Sequence, residues 1–276
     1  MQKVIYRSEI ENYTQQMEPA VVKYIEEGQI ETYEGFDTYS IVAFDWYDIK
    51  DLEADPSQML LYLDRDDLFI ICENEVSYKA AKGYFTETTS NERAMYLFFK
   101  NLFKGDTKNL EDLEDRIADL DDTVIHNVDE AIREQILDAR YSVFRLKKYY
   151  EQFEEIFDEL CDNDNGMISE EYLTYFDVLN NRAERLLHQV LNLKEYVFQV
   201  RESYQAQIDI EQNRLMKVFT LVTSIFMPLT LIAGWYGMNL KMPEFDWAYS
   251  YPVVIAVCVL VVIIWVIVFK KKGWFK

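Results

Sequence analysis

Residues 218–240 read VFTLVTSIFMPLTLIAGWYGMNL, and residues 247–269 read WAYSYPVVIAVCVLVVIIWVIVF; neither stretch contains a charged side chain. A helix rises about 1.5 Å per residue and needs about 20 apolar residues to cross a hydrocarbon core of roughly 30 Å. Both stretches are long enough, so two membrane-spanning helices are expected. The link between them, Lys241 to Asp246, is too short for a domain, so the spans form a hairpin.

Upstream of the hairpin, the pattern predicts one long helix. No glycine occurs between Gly166 and Gly234, and no proline precedes Pro228 in that interval. Apolar residues recur at helical spacing at Leu179, Leu186, Leu187, Val190, Leu193 and Val197. Ser169 suits an N-cap, with Glu170 and Glu171 complementing the helix dipole. The expectation is a single helix from about Ser169 to Met238, about 105 Å long at 1.5 Å per residue.

The N-terminal region reads as mixed α/β. Val4–Tyr6, Ile30–Tyr33, Tyr39–Trp46, Met59–Leu63 and Leu68–Cys72 are β-rich, and a helix is expected between Glu18 and Glu27. Residues 57–71 suggest a hairpin with an acidic turn. Helical periodicity then covers Asn91–Leu102, Asn109–Leu120 and Val128–Leu160. The fold class is therefore α+β. Residues 1–165 would form an α/β domain with a helical extension, 166–213 a stalk helix, and 214–276 the transmembrane hairpin.

Charge is unevenly distributed. Residues 214–276 carry seven basic against two acidic side chains, net +5, which leaves −26 on residues 1–213 out of the whole-chain −21. Such acidity excludes nucleic-acid binding through a basic face and concentrates cations near the surface. Arg214 and Lys217 precede the first span and Lys270, Lys271 and Lys272 follow the second, whereas the link holds only Lys241. The positive-inside rule thus places both termini in the cytoplasm and the link outside, in a cytoplasmic (inner) membrane. Met1 to Glu9 lacks the apolar core of a signal peptide. Cys72, Cys161 and Cys258 are too scattered for a disulfide framework.

No nucleophile–base pair, phosphate loop or dinucleotide fingerprint is present, so no enzyme chemistry is expected. Residues 161–166, CDNDNG, resemble a calcium loop only superficially. With Gly166 at loop position 6, positions 1 and 12 are Cys161 and Tyr172, where carboxylates are required. A helix–helix turn with Gly166 near a C-cap fits better.

The first span has one distinctive face. Met216, Thr220, Thr223, Met227, Thr230 and Gly234 recur at three- or four-residue spacing and form a stripe of small, polar or flexible side chains. By spacing alone, the stripe either lines a pathway or packs helices, with each Thr hydroxyl bonded back to the i−4 carbonyl. Two helices cannot enclose a pore, so conduction requires a ring of subunits. In such a ring Asn239 would present several amide oxygens at the mouth. Mg2+ prefers octahedral oxygen coordination and sheds water reluctantly, so neutral amides could hold it through its hydration waters.

Tyr236-Gly237-Met238-Asn239 at the end of the first of two C-terminal spans resembles the signature of the CorA family of divalent-cation channels. Met216-Lys217-Val218, Phe226-Met227-Pro228-Leu229-Thr230, Ile232-Ala233-Gly234, Met242-Pro243-Glu244, Tyr251-Pro252-Val253-Val254 and Phe269-Lys270-Lys271-Lys272 extend the likeness over residues 213–272. The resemblance implies a homopentameric funnel, self-assembled in a lipid bilayer, that moves Mg2+ and closes when cytosolic Mg2+ binds. It implies a filter at Gly237, Met238 and Asn239, with Glu244 in the outer loop. Thr223, Met227, Thr230 and Gly234 would line the pore. Met216 and Phe219 match the hydrophobic gate, with Phe219 bulkier than the family's aliphatic residue. Lys270, Lys271 and Lys272 match a basic ring at the inner mouth. Asp48 and Glu202 would supply the regulatory metal site, Glu202 standing where the family has Asp. The rival readings are a ZntB-like Zn2+ transporter, transport of Co2+ or Ni2+, and a non-conducting membrane-tethered scaffold.

Overall fold

The computed structural model of the chain describes all residues except 28–31, 50, 52–53, 239–246, 248 and 275–276. It resolves into two compact units, Met1–Ser203 and Tyr204–Lys276. The N-terminal unit is built on strands β1 (Gln2–Tyr6), β2 (Tyr33–Gly35), β3 (Tyr39–Trp46), β4 (Ser57–Asp64) and β5 (Leu68–Cys72). They form one sheet in the order β1-β5-β4-β3-β2. The β1–β5 pair is parallel, and the remaining pairs are antiparallel.

Helices cover both faces of this sheet, which explains why β3 and β5 are almost continuously apolar and buried. On one face Ile5, Ile41, Ala43, Leu60, Tyr62, Phe69 and Ile71 meet α1 (Pro19–Glu27) through Val21 and Ile25, a 3-10 helix (Arg7–Tyr13) through Ile10, and Met17 from the link between the two helices. On the other, Phe44 lies 4.9 Å from the Phe153 ring and 6.1 Å from Phe99. Those rings belong to α5 (Glu130–Asp162) and α3 (Asn91–Leu102). Edge-to-face contacts with Phe103 and Phe157 extend the aromatic core. Buried aromatic pairs of this kind add about 1 kcal/mol each beyond area burial.

The strands and long helices fall where the sequence pattern expects them. Of the Ile30–Tyr33 segment, residues 30 and 31 lie outside the described residues, and the strand there begins at Tyr33. The acidic turn between β4 and β5 is held by Asp64, whose Oδ1 accepts from the backbone N–H groups of Asp66 and Asp67 at 2.8 and 2.7 Å. This is the local side-chain bonding that favours Asp in turns. Two elements had no strong periodic signal: the 3-10 helix and α2 (Glu75–Tyr84). The second starts at Asn74, whose Oδ1 accepts from Val76 and Ser77 N–H at 3.0 Å each.

Helix α4 (Asp106–His126) precedes α5, and the turn after α5 is the former calcium-loop lookalike. Here the left-handed cap is Asn163, at φ 49°, with Gly166 taking a second left-handed position at φ 64°. Asn163 exchanges two bonds with Ile168, and Asn165 donates to Phe36 O and Ser40 Oγ. These side chains are committed to the chain itself, so the loop is a structural joint. Helix α6 then runs uninterrupted from Glu170 to Tyr236, and α7 from Ser250 to Lys271. Both contain segments long and apolar enough to cross a membrane.

Candidate ion pathway and carboxylate sites

Within the C-terminal unit, the apolar part of α6 has two unlike faces. Leu221, Ser224, Ile225, Pro228, Leu229 and Ile232 are half-covered, while Met216, Thr220, Thr223, Met227, Thr230 and Gly234 are all exposed. At about 100° per residue, the centres of these two stripes lie roughly 150° apart around the helix. The polar and small stripe therefore faces away from whatever the chain itself packs. Met216 is 62%, Phe219 66% and Met227 67% exposed. Flexible or bulky apolar side chains left this open are large surfaces awaiting partners.

The threonines on that stripe are locally satisfied. Thr220, Thr223 and Thr230 hydroxyls donate to the carbonyls of Met216, Phe219 and Phe226 at 2.8, 2.8 and 2.9 Å. This back-bonding is what the packing alternative for the stripe expects. It also leaves each hydroxyl oxygen with a lone pair and no need of a fixed partner, so it is compatible with a wet pathway. Pro228 interrupts the backbone ladder by removing one donor, and the helix continues through it.

The two glycines have different causes. A Cβ on Gly237 would sit 2.9 Å from the Ala233 carbonyl oxygen, the same oxygen that accepts the Gly237 N–H at 2.8 Å. The tight end of α6 thus demands glycine. A Cβ on Gly234 would meet nothing within 4 Å, so nothing among the described residues requires its smallness. Met238 is exposed. Asn239 and Glu244 lie outside the described residues.

Lys270, Lys271 and Lys272 are exposed at the end of α7. Asp48 is half-buried just beyond β3, and Glu202 is exposed on α6. Among the described residues no group of three or more His, Cys, Asp or Glu side chains is arranged to hold a metal ion.

The segment carrying Asp48 is clamped from α5. Arg145, itself buried, donates to Ala54 O at 2.5 Å and to the Tyr141 hydroxyl at 2.8 Å. Its guanidinium lies 5.9 Å from the Tyr47 ring centroid and 4.5 Å from that of Tyr141. The Asp55 carboxylate is 3.8 Å away but fully solvated, so that pair contributes little. Nothing local in the sequence marks this arginine as buried, because Tyr47 and Ala54 lie more than ninety residues upstream.

A second feature invisible to pattern reading is the Asp106–Tyr150 pair. The Tyr150 hydroxyl donates to Asp106 Oδ2 at 3.0 Å, and Asp106 is buried. Burial pushes the Asp106 carboxyl up to about 6, against the opposing pull of the Tyr150 hydrogen bond and of Arg182. Arg182, on α6, donates to Phe103 O at 2.7 Å.

A family model described as "CorA-like Mg2+ transporter protein" matches residues 9–271. The chain is 31% identical over 166 residues to the cobalt/magnesium transport protein CorA of Thermotoga maritima, a match covering 60% of this chain and 47% of that one. The matched region thus spans about half the length of this relative. The fold is similar to the complete CorA magnesium transporter from Methanocaldococcus jannaschii, with a TM-score of 0.81 at 19% identity, covering 99% of this chain and 90% of that one. It also resembles the ZntB cytoplasmic domain from Vibrio parahaemolyticus, with a TM-score of 0.60 at 9% identity over 75% and 87% of the two chains. The apolar helix pair, the small-residue face on α6 and the match over residues 9–271 agree, and the chain belongs to the CorA-like Mg2+ transporter family.

Proposed function

We propose that copies of this chain assemble as a pentamer around the Met216–Gly234 stripe and conduct Mg2+ across a cytoplasmic membrane, both termini inside. The observation that carries this reading is the stripe's position. It faces away from the half-covered side of its own helix, and its glycine answers to no contact among the described residues. A symmetric ring turns such a face inward. Gly237, Met238 and Asn239 then form the entrance, with Asn239 amides holding the hydrated ion and Glu244 in the outer loop adding negative charge nearby. Thr223, Met227, Thr230 and Gly234 line the path. Met216 and Phe219 form an apolar constriction that stops ions by dewetting.

Regulation follows from charge. Five N-terminal regions, each carrying −26 over residues 1–213, repel one another. Divalent ions bridging carboxylates of neighbouring copies offset that repulsion. Asp48 and Glu202 are the assigned pair.

The deciding experiment is Mg2+ flux into proteoliposomes by wild type and Asn239→Ala, with assembly checked by mass in mild detergent. Loss of selective uptake in an assembled variant supports the filter; normal uptake removes it. A dimeric wild type would favour the non-conducting scaffold. The likeness to a ZntB domain keeps Zn2+ transport as a second reading, and Co2+ and Ni2+ are further cargo candidates. Flux compared among these ions, with and without a pH gradient, separates them.

A further inference from the structure

The end of α7 closes in a defined way. Gly273 takes a left-handed φ of 71°. Trp274 N–H donates to Phe269 O at 3.1 Å, and Gly273 N–H to Lys270 O at 3.2 Å. This double closure satisfies the last carbonyls and is sealed by an apolar contact between the residues that flank it. Here that contact is Trp274 on Phe269, ring centroids 5.1 Å apart, with Trp265 stacked on the same Phe269 at 5.3 Å. Phe269 is buried between them. The chain is thereby folded back immediately after the three lysines, and their directions are set.

Three consecutive residues on a helix spread over about 200°. Lys270, Lys271 and Lys272 therefore cannot all face one axis. The half-covered positions of α7 are Ser250, Val254, Cys258, Val261, Val262, Trp265 and Val268, and all but Val262 form a single stripe. Lys272 falls four residues after Val268 and continues it. Lys270 lies roughly 160° around the helix from that stripe. Exposed aromatics mark the other end of the helix at Trp247, Tyr249 and Tyr251. From Tyr249 to Phe269 is about 30 Å of helix, the thickness of a hydrocarbon core with aromatic residues at each boundary. An ammonium one residue beyond Phe269 is then at headgroup level, and α7 itself carries no acidic side chain to neutralise it.

We propose that Lys270 binds the phosphate of an anionic phospholipid headgroup, and that Lys272 alone of the three lysines lies in line with the half-covered stripe of α7. The basic segment is thus divided between lipid and protein. This rests on the reading that α7 spans a membrane. The test is native mass spectrometry of the full-length protein in mild detergent, titrated with phosphatidylglycerol or phosphatidylcholine, beside alkaline extraction of membranes. Wild type is expected to retain phosphatidylglycerol preferentially. Lys270→Gln should weaken that retention about fivefold, the worth of one lysine near an anionic surface. Lys270→Arg should restore it, and Lys272→Gln should leave it unchanged. Equal loss in Lys272→Gln, no loss in Lys270→Gln, or no preference in wild type overturns the assignment. Protein released by alkaline extraction would refute the membrane span. Protein that stays in the membrane without lipid preference would refute only the headgroup site.

Discussion

Between Phe176 and Val200, α6 buries nine side chains at helical spacing; between Leu215 and Tyr236 it is far more apolar and buries none. The first half meets protein. Tyr175 and Phe176 pack on Tyr96 of α3, Asn180 donates to Asp158 of α5, and Arg182 reaches Phe103 O. Its other faces are mostly polar, with Val178, Leu191 and Phe198 among the exposed apolar exceptions. The second half has apolar surface on nearly every side and only a half-covered stripe within the chain. Helical conformation is common to both, so backbone propensity does not separate them. What separates them is where the apolar surface goes: into a protein core in one half, and outward from a helix long and apolar enough to cross a membrane in the other.

The largest expected effect tests this contrast directly. Leu186→Ala, in the buried half, should destabilise the N-terminal unit by about 2–5 kcal/mol through lost transfer energy and a residual cavity. Leu231→Ala, at 70% exposure in the second half, should leave that unit's stability within about 0.5 kcal/mol. Chemical denaturation followed by tyrosine and tryptophan fluorescence measures both. Comparable losses from the two would mean that the second half is also held by a core within the chain.

Asp106 sharpens the contrast from the polar side, since it is a titratable group placed in the dry part of the molecule. Its folded pKa of about 6 exceeds the roughly 3.9 of an unfolded Asp. The folded state therefore holds the proton more tightly. The resulting stability is complete below about pH 4 and is lost as pH rises through about 6, amounting to up to about 3 kcal/mol. Asp106→Asn keeps an acceptor for the Tyr150 hydroxyl and should abolish that slope. Denaturation midpoints between pH 4 and 7 check it, and parallel profiles for the two proteins would exclude Asp106 as the source.

In the second half, Phe219→Ser should raise resting Mg2+ leak several-fold, because a ring of hydroxyls no longer dewets the constriction. Flux at matched expression decides this, and an unchanged leak would put the gate elsewhere. The smallest effect is expected from Asp48→Asn combined with Glu202→Gln: a rightward shift of a few-fold in the internal Mg2+ needed for closure, with maximal flux kept. An inhibition curve identical to wild type would reject this pair, and no inhibition in wild type would reject the feedback itself.

The sequence by itself determined what depends on local pattern. Uncharged runs of sufficient length fixed both apolar helices, and the absence of glycine and proline between Gly166 and Pro228 fixed the continuity of α6. Alternating and continuous apolar runs located the strands, and the Met/Thr/Gly stripe was legible from three- and four-residue spacing. Tertiary structure decided what depends on contacts between distant segments. The parallel β1–β5 pair joins residues 66 positions apart, and no periodicity records it. The Arg145 clamp and the Asp106–Tyr150 bond span 91 and 44 positions, and a lone Arg or Asp in a helix reads as a solvated charge. Which face of α6 stays open, and how Lys270 and Lys272 diverge, likewise waited on the fold. Spacing assigns residues to a common face of a helix, but only the packing of other elements decides which face is covered.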